Sequence, residues 1–140
     1  MISPVDLGVY RGPRPQSGDM SVIKAQFASV ISLEGIEEDK KEIVELAPVQ
    51  VTSFPISPIE IYIRGISQDR LAEILQSIMS SRKPLLVHCQ HGQDRTGLVI
   101  AAYRVDTCAW TKERAMAEAL SFGYRKWLNF GLNMTWQHLE

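Results

Sequence analysis

Cysteine is scarce in this 140-residue chain, and its two cysteines, Cys89 and Cys108, are too few for a disulfide framework. His88, Cys89 and His91 lie close together, but no second Cys/His pair is present to complete the four-ligand shell of a structural zinc site. The sequence therefore predicts no metal and no other cofactor.

Long apolar runs and a basic excess are also missing. No uncharged apolar stretch is long enough to span a membrane, and the first residues do not begin a secretory leader. We expect a cytoplasmic protein if the chain is complete at its amino terminus, and an exported one if a leader has been removed. The net charge of −1, from 15 basic and 16 acidic side chains, argues against nucleic acid as a partner.

The acidic residues are unevenly distributed along the chain. Six of them lie in one short stretch, and we interpret them as the solvated face of a helix: Glu34, Glu37, Glu38, Asp39, Glu42 and Glu45. Only Lys40 and Lys41 accompany them, so basic residues outnumber acidic ones over the rest of the chain. The remaining surface therefore favours the binding of an anion.

The composition, with 45% hydrophobic residues, is that of one globular domain, which we assign to residues 1–140 and expect to be monomeric. Short apolar runs predict buried strands at residues 30–33, 49–56 and 85–87. Helical patterns occupy residues 36–47, 71–79, 96–109, 111–120 and 127–132. Strands that alternate with helices predict an α/β fold with a central, mostly parallel sheet flanked by helices.

Three parts of this pattern carry more specific expectations. In the first helix, Ile36, Ile43, Val44 and Ala47 share one face, which we expect to be buried. The Pro- and Gly-rich opening at residues 10–15 is predicted to be irregular. The connection at residues 57–68 is predicted to be a lid over the site or an edge strand, and as an extended segment it would bury its three alternating isoleucines.

The most informative stretch is residues 88–97, His-Cys-Gln-His-Gly-Gln-Asp-Arg-Thr-Gly. It joins a predicted strand to a predicted helix, where unpaired N–H groups favour an anion. Gly92 allows a tight loop whose amides converge, and Cys89 in such a loop is expected to be a thiolate. Arg95 can grip two phosphate oxygens. Together these features indicate nucleophilic attack on a bound phosphoryl group.

This stretch resembles the signature loop of the cysteine-based protein tyrosine phosphatase superfamily, His-Cys-x5-Arg-[Ser/Thr]-Gly. The chain is similar to compact dual-specificity-like members, including plant and fungal ones with a Tyr-Arg-x-x-x-Pro opening like the one that begins at Tyr10. The resemblance implies a dual-specificity-phosphatase-like fold, metal-free chemistry and a phosphocysteine intermediate on Cys89. It also implies that Arg95 and the loop amides hold the equatorial oxygens of the phosphate.

The resemblance assigns roles to the other loop residues as well. His88 would buttress the loop, and the Thr96 hydroxyl would stabilise the thiolate as it leaves. The remaining members of the loop would bind the phosphate: Gln90, His91, Gly92 and Gln93.

The general acid is where the sequence departs from the family pattern. Family members usually place an Asp on the mobile loop after the preceding strand, whereas here no Asp occurs in that connection before Asp69. Glu60 lies in the same connection. Asp94 lies in the phosphate loop, where myotubularin-like and Sac-like phosphoinositide phosphatases also carry an Asp-Arg-Thr sequence. We favour Asp94 slightly. The competing interpretations are an ion pair that steers Arg95, for Asp94, and a helix cap or a partner of the helix dipole, for Asp69.

Two substrate classes stay open. We favour inositol polyphosphates, as for a phytase, because of the Asp94-Arg95-Thr96 match and because spare cations could surround the site: Arg11, Arg14, Arg64, Arg125 and Lys126. The alternative is a tyrosine or dual-specificity phosphatase that acts on phosphoproteins. A non-catalytic phosphate-binding module is disfavoured because both Cys89 and Arg95 are present.

Overall fold

The computed structural model describes residues 1–139. Its strands are β1 (Ser3–Asp6), β2 (Val9–Gly12), β3 (Ser29–Ser32), β4 (Gln50–Ser53) and β5 (Leu85–His88). Its α-helices are α1 (Met20–Gln26), α2 (Ile36–Leu46), α3 (Gln68–Ser80), α4 (Arg95–Asp106), α5 (Lys112–Ser121) and α6 (Phe130–Gln137). A 3₁₀ turn (Ser17–Asp19) precedes α1, and a π-helical turn (Glu60–Arg64) precedes α3.

The five strands form one sheet in the order β1-β2-β5-β3-β4. Only the β1–β2 pair is antiparallel, and the other neighbours run parallel. The predicted α/β fold with a mostly parallel sheet is therefore confirmed. In the registers, His88 at the end of β5 lies between Gly12 of β2 and Ser32 of β3. The phosphate loop consequently leaves the centre of the sheet at its carboxyl edge, where ligands bind in open α/β folds.

Helices cover both faces of the sheet, as the alternation of side chains along the central strands requires. Leu85 and Val87 of β5 pack with residues of α3, α4 and α5 on one face. Leu86 of the same strand packs on the other face with Ile23 of α1 and Leu46 of α2. Helix α4 is buried from Thr96 to Arg104, as its almost wholly apolar sequence predicts. None of the helices in residues 1–139 is long and apolar enough to cross a membrane.

The opening of the chain is more regular than predicted. Residues 3–12 form the hairpin β1–β2, whose second strand pairs with the central strand β5 along its whole length. Both strands have four residues, so they are too short to show a periodic pattern. Their pairing with β5 is decided by tertiary structure.

The connection at residues 57–68 is not an edge strand and is not extended. It forms a single π-helical turn, closed by a hydrogen bond of 2.8 Å from the Gly65 N–H to the Glu60 carbonyl oxygen. The turn packs on α6, where Gly131 touches the backbone of Glu60 and Ile61 so closely that a Cβ would not fit. Of the three isoleucines, only Ile61 is buried, because the turn replaces the two-residue period of a strand with a helical one.

Helix α2 buries the opposite face from the one predicted. Ile36, Ile43 and Val44 are exposed, whereas Asp39 and Glu42 are buried. The helix lies over polar partners, since Asp39 accepts hydrogen bonds from the hydroxyl groups of two serines at the carboxyl ends of β3 and β4. The acidic cluster is therefore not simply a solvated face.

Candidate active site

The phosphate loop runs from the end of β5 to the start of α4, as the sequence predicted. Gly92 has a positive φ of 73°, and a Cβ at this position would lie 2.7 Å from the carbonyl carbon of Gly12. Only glycine fits this conformation and this close approach to β2. The tight loop expected at Gly92 is thus built against the opening segment of the chain.

Cys89 lies at the base of a cavity of about 240 Å³. Loop residues form most of its wall, and the π-helical turn and the segment after α5 close its sides: Ile61, Tyr62, Cys89, Gln90, His91, Asp94, Arg95 and Arg125. The Cys89 side chain is buried, and Cys108 does not line this cavity. A volume of this size suits one or two phosphoryl groups at the thiol.

The guanidinium of Arg95 is held at the wall of the cavity by backbone carbonyls from two neighbouring segments. It donates to the carbonyl oxygens of Leu33 at 3.4 Å and of Ile56 at 3.2 Å. Both acceptors follow strands that end at the same edge of the sheet. Arg95 thus lines the same cavity as Cys89. The Thr96 hydroxyl is fully buried and has no hydrogen-bond partner among residues 1–139.

Asp94 is the one carboxylate among the residues that line the cavity, and it is already bound on both oxygens. The backbone N–H of Arg125 donates to it at 3.0 Å, the Arg125 guanidinium forms an ion pair with it, and Asn129 donates to it at 2.6 Å. Burial raises the pKa of Asp94, but these hydrogen bonds and the Arg125 charge outweigh burial and hold the pKa below its ordinary value. A general acid must carry a proton, so this geometry disfavours the acid role that we predicted.

The other two candidate acids lie outside the cavity. Asp69 is exposed in the first turn of α3, where its negative charge interacts favourably with the positive end of the helix dipole. The residue that caps this helix is Ser67. The Glu60 carboxylate accepts a hydrogen bond of 2.8 Å from the backbone N–H of Ser57 and is therefore held by its own segment. No unpaired carboxyl group therefore faces Cys89 within residues 1–139.

His88 lies beneath the loop in a fully buried network of charges. Its Nε2 is 2.7 Å from a carboxylate oxygen of Glu42, and its Nδ1 is 3.3 Å from one of Glu34. Burial lowers the pKa of His88, but the two carboxylates outweigh burial and raise it to about 9. Burial conversely raises the pKa of Glu34, and the contacts with His88 and Arg14 lower it to about 2. The raised pKa favours a protonated His88 between the two carboxylates, although neither ring nitrogen forms a hydrogen bond of normal geometry with residues 1–139. The role of His88 as a buttress of the loop stays a prediction.

The predicted rim cations do not converge on the cavity. Arg125 lines it, but Arg14, Arg64 and Lys126 do not. Arg14 turns away to form an ion pair with Glu34, while Arg64 lies in a groove with α6, and Lys126 is exposed. Because each cation is drawn to its own partner or to solvent, the expectation of a basic ring around Cys89 is not met.

Arg11 also fails to reach the cavity and is instead buried behind the phosphate loop. The sequence does not identify Asn129 as a site residue, although it is fully buried and donates a hydrogen bond to Asp94. Glu34 and Glu42 are also buried, whereas the sequence predicts that they lie on a solvated helix face. A buried histidine immediately before the cysteine was the available signal for them, because a buried charge needs opposite charges beside it.

Comparison with known proteins agrees with this geometry. The profile described as the tyrosine phosphatase family matches residues 1–130. The chain belongs to the tyrosine phosphatase family. The resemblance drawn from residues 88–97 is therefore confirmed.

Curated relatives of this family member come from bacteria and plants. It is 28% identical over 119 residues to the dual specificity protein phosphatase TpbA of Pseudomonas aeruginosa strain UCBPP-PA14, covering 83% of this chain and 51% of the relative. It is 29% identical over 104 residues to the inositol diphosphatase DSP1 of Oryza sativa subsp. japonica, covering 71% of this chain and 47% of the relative. The chain spans about half the length of the curated relatives it matches.

Solved structures of phosphatases share its fold. The crystal structure of P. aeruginosa TpbA matches with a TM-score of 0.81 and 23% identity, over 99% of this chain and 84% of that one. The core catalytic domain of the PP-IP phosphatase SIW14 from S. cerevisiae matches with a TM-score of 0.82 and 19% identity, over 99% of this chain and 85% of that one. The predicted phosphatase fold is confirmed by these similarities.

Proposed function

We propose that this protein is a cysteine-dependent phosphatase that acts on inositol polyphosphates and cleaves them at a diphosphate group. The observation that carries the proposal is the state of the only carboxylate among the cavity-lining residues. Asp94 is bound by Arg125 and Asn129, and these contacts hold its pKa below the ordinary value, which favours the ionised form and makes it a poor proton donor for a leaving group. The best substrate is then one whose leaving group departs as a stable anion.

The chemistry proceeds in two displacements. The Cys89 thiolate attacks phosphorus, the bond from phosphorus to the leaving oxygen breaks, and that oxygen departs with the electron pair. Water then attacks the phosphocysteine, the P–S bond breaks, and inorganic phosphate leaves as the thiolate is restored. Arg95 and the loop amides stabilise the equatorial oxygens in both steps. The unpaired Thr96 hydroxyl is available to donate a hydrogen bond to the departing thiolate.

Leaving groups differ widely in how much they need a proton. An alcohol has a pKa near that of water, about 15.7; the tyrosine phenol has one of about 10; and a phosphate monoester has a second pKa of about 6. Without a general acid, a diphosphate is expected to be cleaved fastest, phosphotyrosine more slowly, and phosphoserine or phytate monoesters most slowly. The two guanidinium groups at the cavity, those of Arg95 and Arg125, match the two phosphoryl groups of a diphosphate.

The names of relatives support the same substrate class. The rice and Arabidopsis thaliana relatives are inositol diphosphatases, and the yeast structural neighbour is a PP-IP phosphatase. At this identity the names indicate a class of substrate for this chain and not a particular isomer.

A phosphate-release panel tests the proposal. Equal concentrations of a diphosphoinositol polyphosphate, phytate, a phosphotyrosine peptide and a phosphoserine peptide are compared by kcat/KM, with Cys89→Ser as the matched inactive control. We expect the order diphosphate, phosphotyrosine, then phytate and phosphoserine. A phytate or phosphoserine rate equal to the diphosphate rate would show that a proton donor operates and would contradict the proposal.

Phosphotyrosine is the second candidate substrate, because it shares the low demand for a proton. TpbA is called a dual specificity protein phosphatase, and one of its crystal structures, of a cysteine-to-serine variant, is a complex with pTyr. In this chain Tyr62 lies at the wall of the cavity, where its ring can contact an aromatic substrate. If the phosphotyrosine peptide exceeds the diphosphate in kcat/KM, this candidate replaces the first.

A further inference from the structure

Arg11 contacts the phosphate loop from the side opposite the catalytic cavity. Its side chain is 2% exposed, and its Nη2 donates to the carbonyl oxygen of Gly92 at 3.1 Å. The guanidinium also stacks on Phe122, with its carbon 4.1 Å from the ring centre, while Nη1 has no hydrogen-bond partner in residues 1–139. Burial lowers the pKa of Arg11 to about 10, and the charge of Glu118 offsets burial only in part. Because Arg11 forms no ion pair within residues 1–139, its burial at this position is costly and requires an explanation.

The same opening segment holds the loop at a second point. The backbone N–H of Arg14 donates to the carbonyl oxygen of Gln90 at 3.1 Å. Between these two bonds, the backbone of Gly12 and Pro13 lies against Gly92 too closely to admit a side chain there. None of residues 11–14 lines the cavity of Cys89. Residues 11–14 therefore contact the phosphate loop only on the side that faces away from the cavity.

The two bonds orient peptide planes of the loop. In a trans peptide the C=O and the N–H point in opposite directions. A Gln90 carbonyl held by the opening segment sends the His91 N–H the other way, and a Gly92 carbonyl held by Arg11 does the same for the Gln93 N–H. We infer that Arg11 is a positioning residue for phosphoryl transfer, which aims loop amides at the phosphate through its bond to the Gly92 carbonyl. This inference rests on the proposed function.

Two variants of Arg11 separate this role from a purely structural one. Only one guanidinium nitrogen contacts the loop, so Arg11→Lys can keep the bond to Gly92. Arg11→Met loses this bond and replaces the guanidinium over Phe122 with an apolar side chain. Loss of an oxyanion donor costs about 10²–10³-fold in kcat, and partial misorientation of an amide should cost about 30-fold in Arg11→Met. We expect Arg11→Lys to stay within about threefold of the natural chain, since the donor is retained.

A binding measurement needs no turnover and keeps this test apart from that of the proposed function. Orthovanadate adopts the five-coordinate geometry of the transition state, whereas inorganic phosphate resembles the bound product. In Arg11→Met we expect vanadate to bind about 30-fold more weakly and phosphate within about threefold, because positioned amides act chiefly on the transition state. The control is Arg114→Met, since Arg114 also stacks on an aromatic ring, Trp110, but makes no contact with the loop.

Three outcomes would overturn the inference: unchanged kcat and vanadate affinity in Arg11→Met, a change in KM alone, or an Arg11→Lys variant as impaired as Arg11→Met. Thermal unfolding of each variant shows whether it is folded. If Arg11→Met does not fold, Arg11→Gln takes its place, because the uncharged glutamine side chain is too short to reach the Gly92 carbonyl oxygen. If the natural chain cleaves no substrate of the panel, the proposed function fails, while the vanadate-to-phosphate comparison still decides the role of Arg11.

Discussion

Two clusters of paired charges flank the phosphate loop, and they differ in burial. Beneath the loop, His88 lies between Glu34 and Glu42, and all three are buried. At the mouth of the cavity, Asp94 pairs with Arg125, whose side chain is 36% exposed. In the lower cluster, burial removes the charged groups from solvent, and the stability of the fold depends on whether their mutual attraction offsets that cost. In the upper cluster solvent screens the charges, and the contact with Asp94 chiefly determines where the Arg125 side chain lies at the site.

Paired charges have a different role in each cluster, because one cluster is buried and the other is partly exposed to solvent. A cation between two buried carboxylates changes protonation only with a large change in free energy, so the lower cluster couples folding to pH. The upper cluster ties the loop to the segment after α5 through Arg125 and Asn129. We therefore expect lower-cluster variants to lose stability and upper-cluster variants to lose activity.

The largest expected effect comes from Cys89, the proposed nucleophile, which lies between the two clusters. Cys89→Ser should reduce turnover by about 10⁴-fold or more, because the hydroxyl does not replace the thiolate. Phosphate affinity and the unfolding temperature should stay close to those of the natural chain, since Arg95 and both clusters remain. Phosphate release, calorimetric phosphate binding and thermal unfolding measure the three quantities. Substantial turnover in this variant would contradict the phosphocysteine chemistry.

The next effect concerns the lower cluster and pH. The pKa of His88 rises from 6.5 to about 9 in the folded chain, so its stabilising contribution is complete below pH 6.5 and is lost as pH rises through 9. The pKa of Glu34 falls from 4.5 to about 2, so its contribution is complete above pH 4.5 and is lost as pH falls through 2. The free energy of unfolding should therefore be greatest between pH 4.5 and 6.5 and fall by about 2–3 kcal/mol toward pH 9.5.

Glu42→Gln sharpens that pH test. Removing one of the two carboxylates should cost about 2 kcal/mol at pH 6 and much less at pH 9.5, where His88 is largely neutral. Glu45→Gln on the same helix is the control, because Glu45 makes only a surface contact of 3.8 Å with Lys41. Urea unfolding at the two pH values measures both. An equal loss at pH 6 and pH 9.5 would mean that Glu42 does not stabilise the charged form of His88.

A smaller effect is expected in the upper cluster. Asp94→Asn should lower kcat/KM about tenfold on aryl, alkyl and diphosphate substrates alike, because the charge-assisted bond that places Arg125 is lost. Asp106→Asn, at the exposed end of the same helix, is the control. A loss of about 10²–10⁴-fold confined to alkyl phosphates would instead identify Asp94 as the proton donor that the sequence predicted. Glu60→Gln and Asp69→Asn should change every substrate by less than about twofold.

The smallest effect lies on the exposed face of α2. Val44→Ser should change the free energy of unfolding by no more than about 0.5 kcal/mol, since Val44 is 76% exposed. Chemical unfolding at pH 6 tests this. A loss above about 2 kcal/mol would show that the apolar stripe is buried after all, as its periodicity suggested.

How far the sequence could predict the molecule depended on whether a feature was local. The loop at residues 88–97, the strand before it and the apolar helix after it were predicted correctly, because each has a pattern within about a dozen residues. The pairing of β2 with the central strand and the turn at Glu60–Arg64 were missed, since both depend on contacts with distant elements. The buried face of α2 was wrong because hydrophobicity ignores a buried partner such as His88.

The sequence alone determined the candidate reactive loop, because a cysteine, a glycine and an arginine at fixed spacing form a local motif that needs no distant contact to be recognised. The surroundings of that chemistry were decided by the tertiary structure. It moved Arg11 and Arg14 from a supposed substrate rim to the back of the loop, tied Asp94 to Arg125, and brought Glu42 to His88. A charged side chain has the same letter whether it meets substrate, solvent or another charge, and only the folded chain selects its partner.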